Sequence, residues 1–205
     1  MYKRQALARR IGTVFGQRTQ LWYHLPARDT FELLARVYDQ DPVVARRRRA
    51  ELVEAFGIGP YVDRPVRQLS LGQRMRCEIV ASLLHDPDIL FLDEPTIGLD
   101  VSAKAVIRET VTRQSRLHGR TVLLTSHDTG DMERVCDRVI VIHEGRVLLD
   151  ESVAALRSGF IRRKRITLLT AEPSVGVPLP GVTVVEQSAH RITMEVDTRV
   201  TPVEA

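Results

Sequence analysis

The sequence predicts an α/β fold: a mostly parallel sheet, a separate helical lobe and a small β-rich region at the C-terminal end. Three observations carry that expectation. Short apolar runs at 11–16, 89–92 and 121–125 alternate with helical patterns, the succession that builds parallel sheets. The stretch 29–87 between the first two runs reads as helix throughout, so it is expected to form a lobe of its own. From Gly159 the texture changes to β-branched residues interrupted by Pro173, Pro178 and Pro180.

Taken in order, 11–16 (IGTVFG) reads as a buried strand followed by a loop that Pro26 closes. Asp29 with Glu32 three residues later resembles a capping box, and Phe31, Leu34, Val37 and Tyr38 follow at helical spacing. Asp41-Pro42 has the order of cap and N1 proline for a second helix, with apolar Val44, Leu52, Val53 and Phe56 and a stop at Gly57. Its four arginines, Arg46 to Arg49, read as a solvated face, with a specific anion or acidic-partner contact as the sharper option. Leu69-Ser70-Leu71-Gly72-Gln73 opens a third helix through Ile79, Val80, Leu83 and Leu84, which ends at Asp86-Pro87.

The run 89–92 fits a strand buried on both faces and ends in Asp93-Glu94-Pro95. A helix over 102–117 stops at Gly119, and a second buried strand over 121–125 leads to Ser126-His127-Asp128. A short helix around Met132 and Val135 follows, then a hairpin of 139–142 and 147–149 across a Glu144-Gly145 turn. Farther on, Ile166, Leu168, 183–185 and 192–196 read as strands, with Ser188-Ala189-His190 as a hairpin turn. Pro202 reads as the start of another element.

Composition excludes several classes. The chain has 205 residues, 43% hydrophobic, enough for one full core or one core plus a small satellite. Twelve glycines and ten prolines are an ordinary share, which excludes collagen-like and low-complexity chains. No stretch approaches the ~20 apolar residues that span a bilayer, and no signal-peptide pattern opens the chain, so a membrane is expected to matter only through a partner. Cys77 and Cys136 form no CxxC pair and fit a reducing cytoplasm. Residues 1–76 carry 15 basic against 7 acidic side chains, while the remainder carries 15 against 19. That basic front would suit a nucleic acid, an acidic partner surface or a phosphate-rich ligand. Only Lys3, Lys104 and Lys164 are lysines and none follows glycine, so the 205 residues contain no GxxxxGK[ST] phosphate loop.

Four signals carry chemistry. In Asp88-Ile-Leu-Phe-Leu-Asp93-Glu94 a strand delivers two acids to its carboxyl end, where open parallel sheets bind ligands. Asp93 suits Mg²⁺, held directly or through water, and Glu94 could polarise an attacking water. Ser70 and Gly72 at the start of a helix make an anion site, or Ser70 is only an N-cap. Asp100 could be no more than the cap of the next helix, and His127 at a strand end a satisfied polar residue. Gln17 is unremarkable alone.

Together, VFGQ, LSLGQ, ILFLDEP, GLD and TSHD resemble the ATP-binding cassette (ABC) family of transport ATPases, over roughly 10–142. The resemblance implies a partial P-loop NTPase-type cassette, with 1–158 as an incomplete ATPase domain, 29–87 as its helical signature lobe, and 159–205 as an incomplete accessory region. It implies that Gln17 senses Mg²⁺ and the attacking water in a loop facing the membrane partner. Ser70, Gly72 and Gln73 would be the signature that contacts the γ-phosphate of ATP held by an opposite subunit. Asp93 would bind Mg²⁺ through water, Glu94 would be the general base, Asp100 would cross the dimer interface, and His127 would lie near the γ-phosphate. Leu71 stands where the family has a central glycine. Cofactors would be ATP and Mg²⁺. Partners would be a second cassette, expected to be identical, and an integral-membrane permease subunit, with the chain on the inner face of the cell membrane and no nucleic acid bound.

The stretches after Gln17 and around "IGLDVSAK" look most like cassettes of the antibiotic- or viologen-exporter group. Trp22 and Tyr23 would pack against the membrane subunit or in the core. The family's phosphate loop is missing upstream of Gln17, so this chain alone is expected neither to bind ATP well nor to hydrolyse it. Met1-Tyr2-Lys3-Arg4-Gln5 is what GTG-TAT-AAG-AGA-CAG encodes, the end of a common sequencing adapter, so natural sequence is expected to begin near Ala6. The C-terminus is expected to be cut short too. Two rival readings remain: a non-catalytic half-cassette that regulates a complete one, and a soluble, non-transport ABC protein.

Overall fold

The computed structural model describes residues 2–16, 18–159, 163–171, 179–197 and 200. By internal contacts the chain forms two compact units, Met1–Cys136 and Asp137–Ala205. The first contains α1 (Tyr2–Ala8), β1 (Ile11–Phe15), α2 (Ala27–Val37), α3 (Pro42–Ala55), a 3-10 turn at Val66–Gln68, α4 (Leu71–Leu83), β2 (Ile89–Asp93), α5 (Val101–His118), β3 (Thr121–Thr125) and α6 (Thr129–Val135). The second contains β4 (Arg138–His143), β5 (Arg146–Ser152), α7 (Val153–Gly159), β6 (Arg163–Leu169), β7 (Val182–Ser188) and β8 (Arg191–Asp197).

In the first unit β1, β2 and β3 form a parallel sheet in that order, with Phe15 opposite Asp93 and Asp93 opposite Thr125. Val14, Leu90 and Leu92 turn inward against Met75, Ile79, Val80 and Leu83 of α4, with Ile107 and Val111 of α5 in the same cluster. The helical lobe joins this core through Phe31, Leu52, Phe56 and Ile58. At Gly12 a Cβ would stand 2.4 Å from the Ser82 carbonyl, so the glycine is what lets α4 lie against β1.

Three expectations need correction. β2 is buried on one face only, and β3 is half-buried on that face and exposed on the other: Leu90 and Leu92 are covered, whereas Phe91 is 38% and Leu123 50% exposed. The reason is that α4 and α5 both give their apolar side chains to the Leu90–Leu92 side. The Asp29–Glu32 capping box does not form. Pro26, with φ −58° and ψ 147°, stands at the start of α2 three residues before Asp29, without a side-chain cap, and Asp29 sits in the first turn, where the helix dipole favours its charge. Trp22 and Tyr23 are not core residues; both are about half exposed.

Other local readings match the fold. The Asp41 carboxylate accepts from the Val43 and Val44 amides, Pro42 is N1, and Gly57 follows with φ +60°. Three of the four arginines of α3 make ion pairs: Arg47 with Glu51 at 2.8 Å, Arg48 with Asp86 at 2.8 Å and Arg49 with Glu32 at 2.9 Å. Gly119 ends α5 in the left-handed conformation. Glu144 (φ +49°) and Gly145 (φ +74°) make the two-residue turn of the β4–β5 hairpin, as a type I′ turn requires. Strand order β6-β8-β7 is antiparallel throughout, with Ile192 and Val196 buried and Ala189-His190 joining β7 to β8. Pro202 lies outside the described residues. Helices α1 and α7 are additions to the sequence reading. α7 had a signal, since the Ser152 hydroxyl caps the Ala155 amide at 3.0 Å.

Candidate functional site

The carboxyl ends of β1, β2 and β3 come level, bringing Gly16, Asp93-Glu94 and Thr125-Ser126-His127 to one edge of the sheet. The Gly16 amide donates to the Asp93 carbonyl at 2.7 Å. A Cβ at Gly16 would stand 2.4 Å from the Glu94 carbonyl oxygen, so only glycine lets the two strand ends approach this closely. The Thr125 hydroxyl donates to Asp93 Oδ1 at 2.6 Å and accepts from the Glu94 amide at 3.1 Å. One threonine thereby orients both acids.

Glu94 has φ +50°, a left-handed conformation that costs a non-glycine residue about 1 kcal/mol. The Glu94 amide is held by the Thr125 carbonyl at 3.1 Å, and its carbonyl by the Ile97 amide at 3.2 Å. The kink turns the Glu94 side chain to His127, whose Nδ1 stands 3.0 Å from Oε1 and 2.9 Å from Oε2. The hydrogen bond and the negative charge of Glu94 hold the His127 imidazole above the ordinary histidine range. Among the described residues no group of three or more His, Cys, Asp or Glu side chains forms a metal cage. Mg²⁺ does not need one, since it commonly takes one or two carboxylates together with water and substrate phosphates. Asp93, exposed at the strand end, is a carboxylate of that kind.

Behind His127 lies a buttress that the sequence reading missed. Asp131, fully buried, accepts from Thr96 Oγ1 at 2.5 Å, Ser126 Oγ at 2.8 Å and Arg108 Nε at 2.6 Å. Burial alone would raise its carboxyl; these bonds outweigh burial and hold it below the usual range. Asp128 caps α6 through the Gly130 amide at 2.8 Å and pairs with Lys104 at 2.7 Å. The Ser126 hydroxyl accepts from the Asp128 amide at 3.0 Å, so both neighbours of His127 are pinned. An acid directly before a short helix was the available signal for Asp128. Nothing local pointed to Asp131, whose partners lie up to 35 residues away.

Ser70, Gly72, Gln73 and Asp100 form a second group. Ser70 is the N-cap of α4 in a reciprocal capping box: its hydroxyl accepts from the Gln73 amide at 3.2 Å, and Gln73 Oε1 accepts from the Ser70 amide at 3.0 Å. The Gln73 carbonyl oxygen is thus engaged within its own helix. A Cβ at Gly72 would meet the Ala103 Cβ at 2.9 Å, and one at Gly98 would meet Leu71 at 3.2 Å, so the head of α4 lies against the start of α5. Asp100 caps α5 by accepting from the Ala103 amide at 2.8 Å. Gln17 lies outside the described residues. Its neighbours are tied, with the Arg18 amide donating to the Phe15 carbonyl at 3.2 Å.

The chain is similar to known proteins over most of its length. Residues 1–97 match the ABC transporter family. The chain is 34% identical over 147 residues to the ABC transporter ATP-binding protein NatA of Bacillus subtilis, a span covering 72% of this chain and 59% of that one. It is 35% identical over 184 residues to the daunorubicin resistance ATP-binding protein DrrA3 of Streptomyces coeruleorubidus, covering 87% of this chain and 58% of that one. Among solved structures it is similar to CbiO1 of Clostridium perfringens, part of the CbiONQ ABC transporter complex, with 30% identity and a TM-score of 0.66 over 75% of this chain and 61% of that one. The chain thus spans less than two thirds of the length of these relatives.

Proposed function

Because this chain belongs to the family of ABC transporter ATP-binding proteins, whose members are ATPases, we propose that it acts in Mg-ATP hydrolysis for an export system. The observation that carries the reading is the Glu94–His127 pair beside Asp93 at the carboxyl edge of a parallel sheet. In this reading Glu94 takes a proton from the attacking water, and His127, bonded to both Glu94 oxygens, holds that carboxylate in place. Asp93, steadied by Thr125, would hold Mg²⁺, which would supply charge neutralisation at the phosphates. The family resemblance gives Gln17 the sensing of Mg²⁺ and the attacking water.

Ser70 and Gly72 serve a second ATP site, that of an identical cassette facing this one, because the start of a helix, where the macrodipole is positive, receives phosphate. Asp100 would lie at the same interface beyond its capping role. Trp22, Tyr23 and Leu25, each at least 40% exposed, face an integral-membrane permease subunit. In this reading the chain works peripherally on the inner face of the cell membrane through that partner; no described helix is long and apolar enough to cross a membrane. The export direction rests on the daunorubicin resistance relative. The division into 1–158 and an accessory region 159–205 belongs to the same proposal.

The test is Glu94→Gln in the transporter assembled with its permease. ATP hydrolysis is expected to fall about 100-fold or more while ATP binding persists; hydrolysis within twofold of the parent would remove Glu94 from the base's role. A second measurement is titration of the 205-residue polypeptide with Mg-ATP. Without a GxxxxGK[ST] loop in those residues, binding weaker than micromolar is expected. Micromolar, Mg²⁺-dependent binding would overturn that.

A further inference from the structure

Glu78 is an acid in the wrong place for an ordinary helix. It sits on α4 among Cys77, Ile79, Val80 and Ala81, all buried, and is itself 2% exposed. Among the described residues it makes no ion pair; Arg74 is felt only at a distance. A buried carboxylate without a cation is costly unless its oxygens are hydrogen-bonded, and here the bonds all come from one segment. Thr19 Oγ1 donates to Glu78 Oε1, and the Gln20 amide lies 3.2 Å from both carboxylate oxygens. The Leu21 amide is turned the same way and donates to Thr19 Oγ1 at 3.1 Å.

That segment begins two residues after Gln17 and leads into the exposed Trp22 and Tyr23. It has two further ties: Gln20 Nε2 donates to the Thr13 carbonyl of β1, and the Trp22 amide to Thr30 Oγ1 of α2 at 3.1 Å. Glu78 is the only one of these anchors on the helix that Ser70 heads. Eight residues of α-helix separate them, about 12 Å along the axis.

We propose that Glu78 is a positioning residue that joins the segment 19–22 to α4 as one rigid piece, so that a push on the Trp22 and Tyr23 surface is delivered along the helix to Ser70. The anchoring itself needs only the hydrogen bonds above; what is delivered, and to what end, rests on the transport reading. A buried acid serves this purpose where an apolar residue could not, because it accepts several donors from a loop whose amides have no strand to pair with.

The experiment measures amide exchange in the 205-residue chain at Gln20 and Leu21, with α5 amides as the control. Thr19→Val and Glu78→Ala are each expected to speed exchange at Gln20 about 10-fold or more, with α5 unchanged. The double variant should be no faster than the faster single one, and Thr19→Ser should restore the parental rate. For the rigid coupling, spin labels at Tyr23→Cys and Arg74→Cys, in a Cys136→Ser background, should give one narrow distance that Thr19→Val broadens. Burial pushes the Cys77 thiol up to about 12, which keeps it from competing for label. Unchanged exchange at Gln20, equal acceleration in α5, or an unbroadened distance would each overturn the proposal. If Glu78→Ala does not fold, Thr19→Val at the exposed end of the bond still decides. Hydrolysis within twofold of the parent for Glu94→Gln in the assembled transporter would defeat the catalytic reading and leave these rates unaffected.

Discussion

His127 and Glu94 are separated by 33 residues and joined by one ion pair, and the pair has a pH signature. Glu94 raises the imidazole pKa above its unfolded value, so the charged pair is fully present below the ordinary histidine range and is lost as pH rises through the raised value. Imidazole proton shifts should therefore titrate later for His127 than for an unperturbed histidine, and Glu94→Gln should bring His127 back toward about 6.5. Identical titration in parent and variant would show that the pair does not form in solution. Asp131 behaves in the opposite sense. Its carboxyl is held low, so its contribution is present above the unfolded value and lost as pH falls through the folded one. Because Arg108 beside it is itself largely buried, Asp131→Ala should cost about 3 kcal/mol in urea unfolding at neutral pH, the range found when one partner of a buried pair is removed.

Among the elements, α5 tests the two roles of Asp100. Its carboxylate caps the helix, and asparagine caps as well as aspartate does, so Asp100→Asn should leave stability unchanged while Asp100→Ala costs about 1 kcal/mol. If Asp100→Asn lowers ATPase of the assembled transporter while stability holds, the side chain acts at the proposed cassette interface as well. The starts and stops of α3, α4 and α5 were legible in the sequence because each is a local event: Asp41 before Pro42, Ser70 three residues before Gln73, Asp100, and Gly119 at positive φ. The N-cap of α2 lies three residues before the apparent Asp29 cap because Pro26 and its bridge to Pro65 outweigh it. That competition involves a residue 39 positions away in the chain and leaves no local trace.

Across the whole molecule, the outer row of the parallel sheet is the feature with the plainest consequence. Thr13, Phe91 and Leu123 stand in register, with Phe15 one step further along, and the three apolar members are between 38% and 50% exposed. Parallel sheets normally have both faces covered. The 205-residue chain should therefore bind an apolar fluorescent dye and self-associate at rising concentration, and Leu123→Thr should reduce both without lowering the unfolding midpoint. A chain that stays monomeric and dye-free would show the row to be covered in solution.

What the sequence by itself determined is written in short stretches: the strand–helix alternation, the capped helix starts, the hairpin turns, and the order of Ser70, Asp93-Glu94, Asp100 and His127 that points to the family. Each depends on residues within one turn of helix or one strand, where steric and capping preferences act without help from the rest of the chain. Only the tertiary structure decided which sheet face is buried, that Thr125 orients both acids, that Asp131 sits at the centre of a buried network, and that Glu78 holds the segment before Trp22. Those outcomes depend on groups 30 to 60 residues apart, as in the bonds of Thr125 and Glu78, meeting in a medium of low polarity, where an acid's partners set both its cost and its charge.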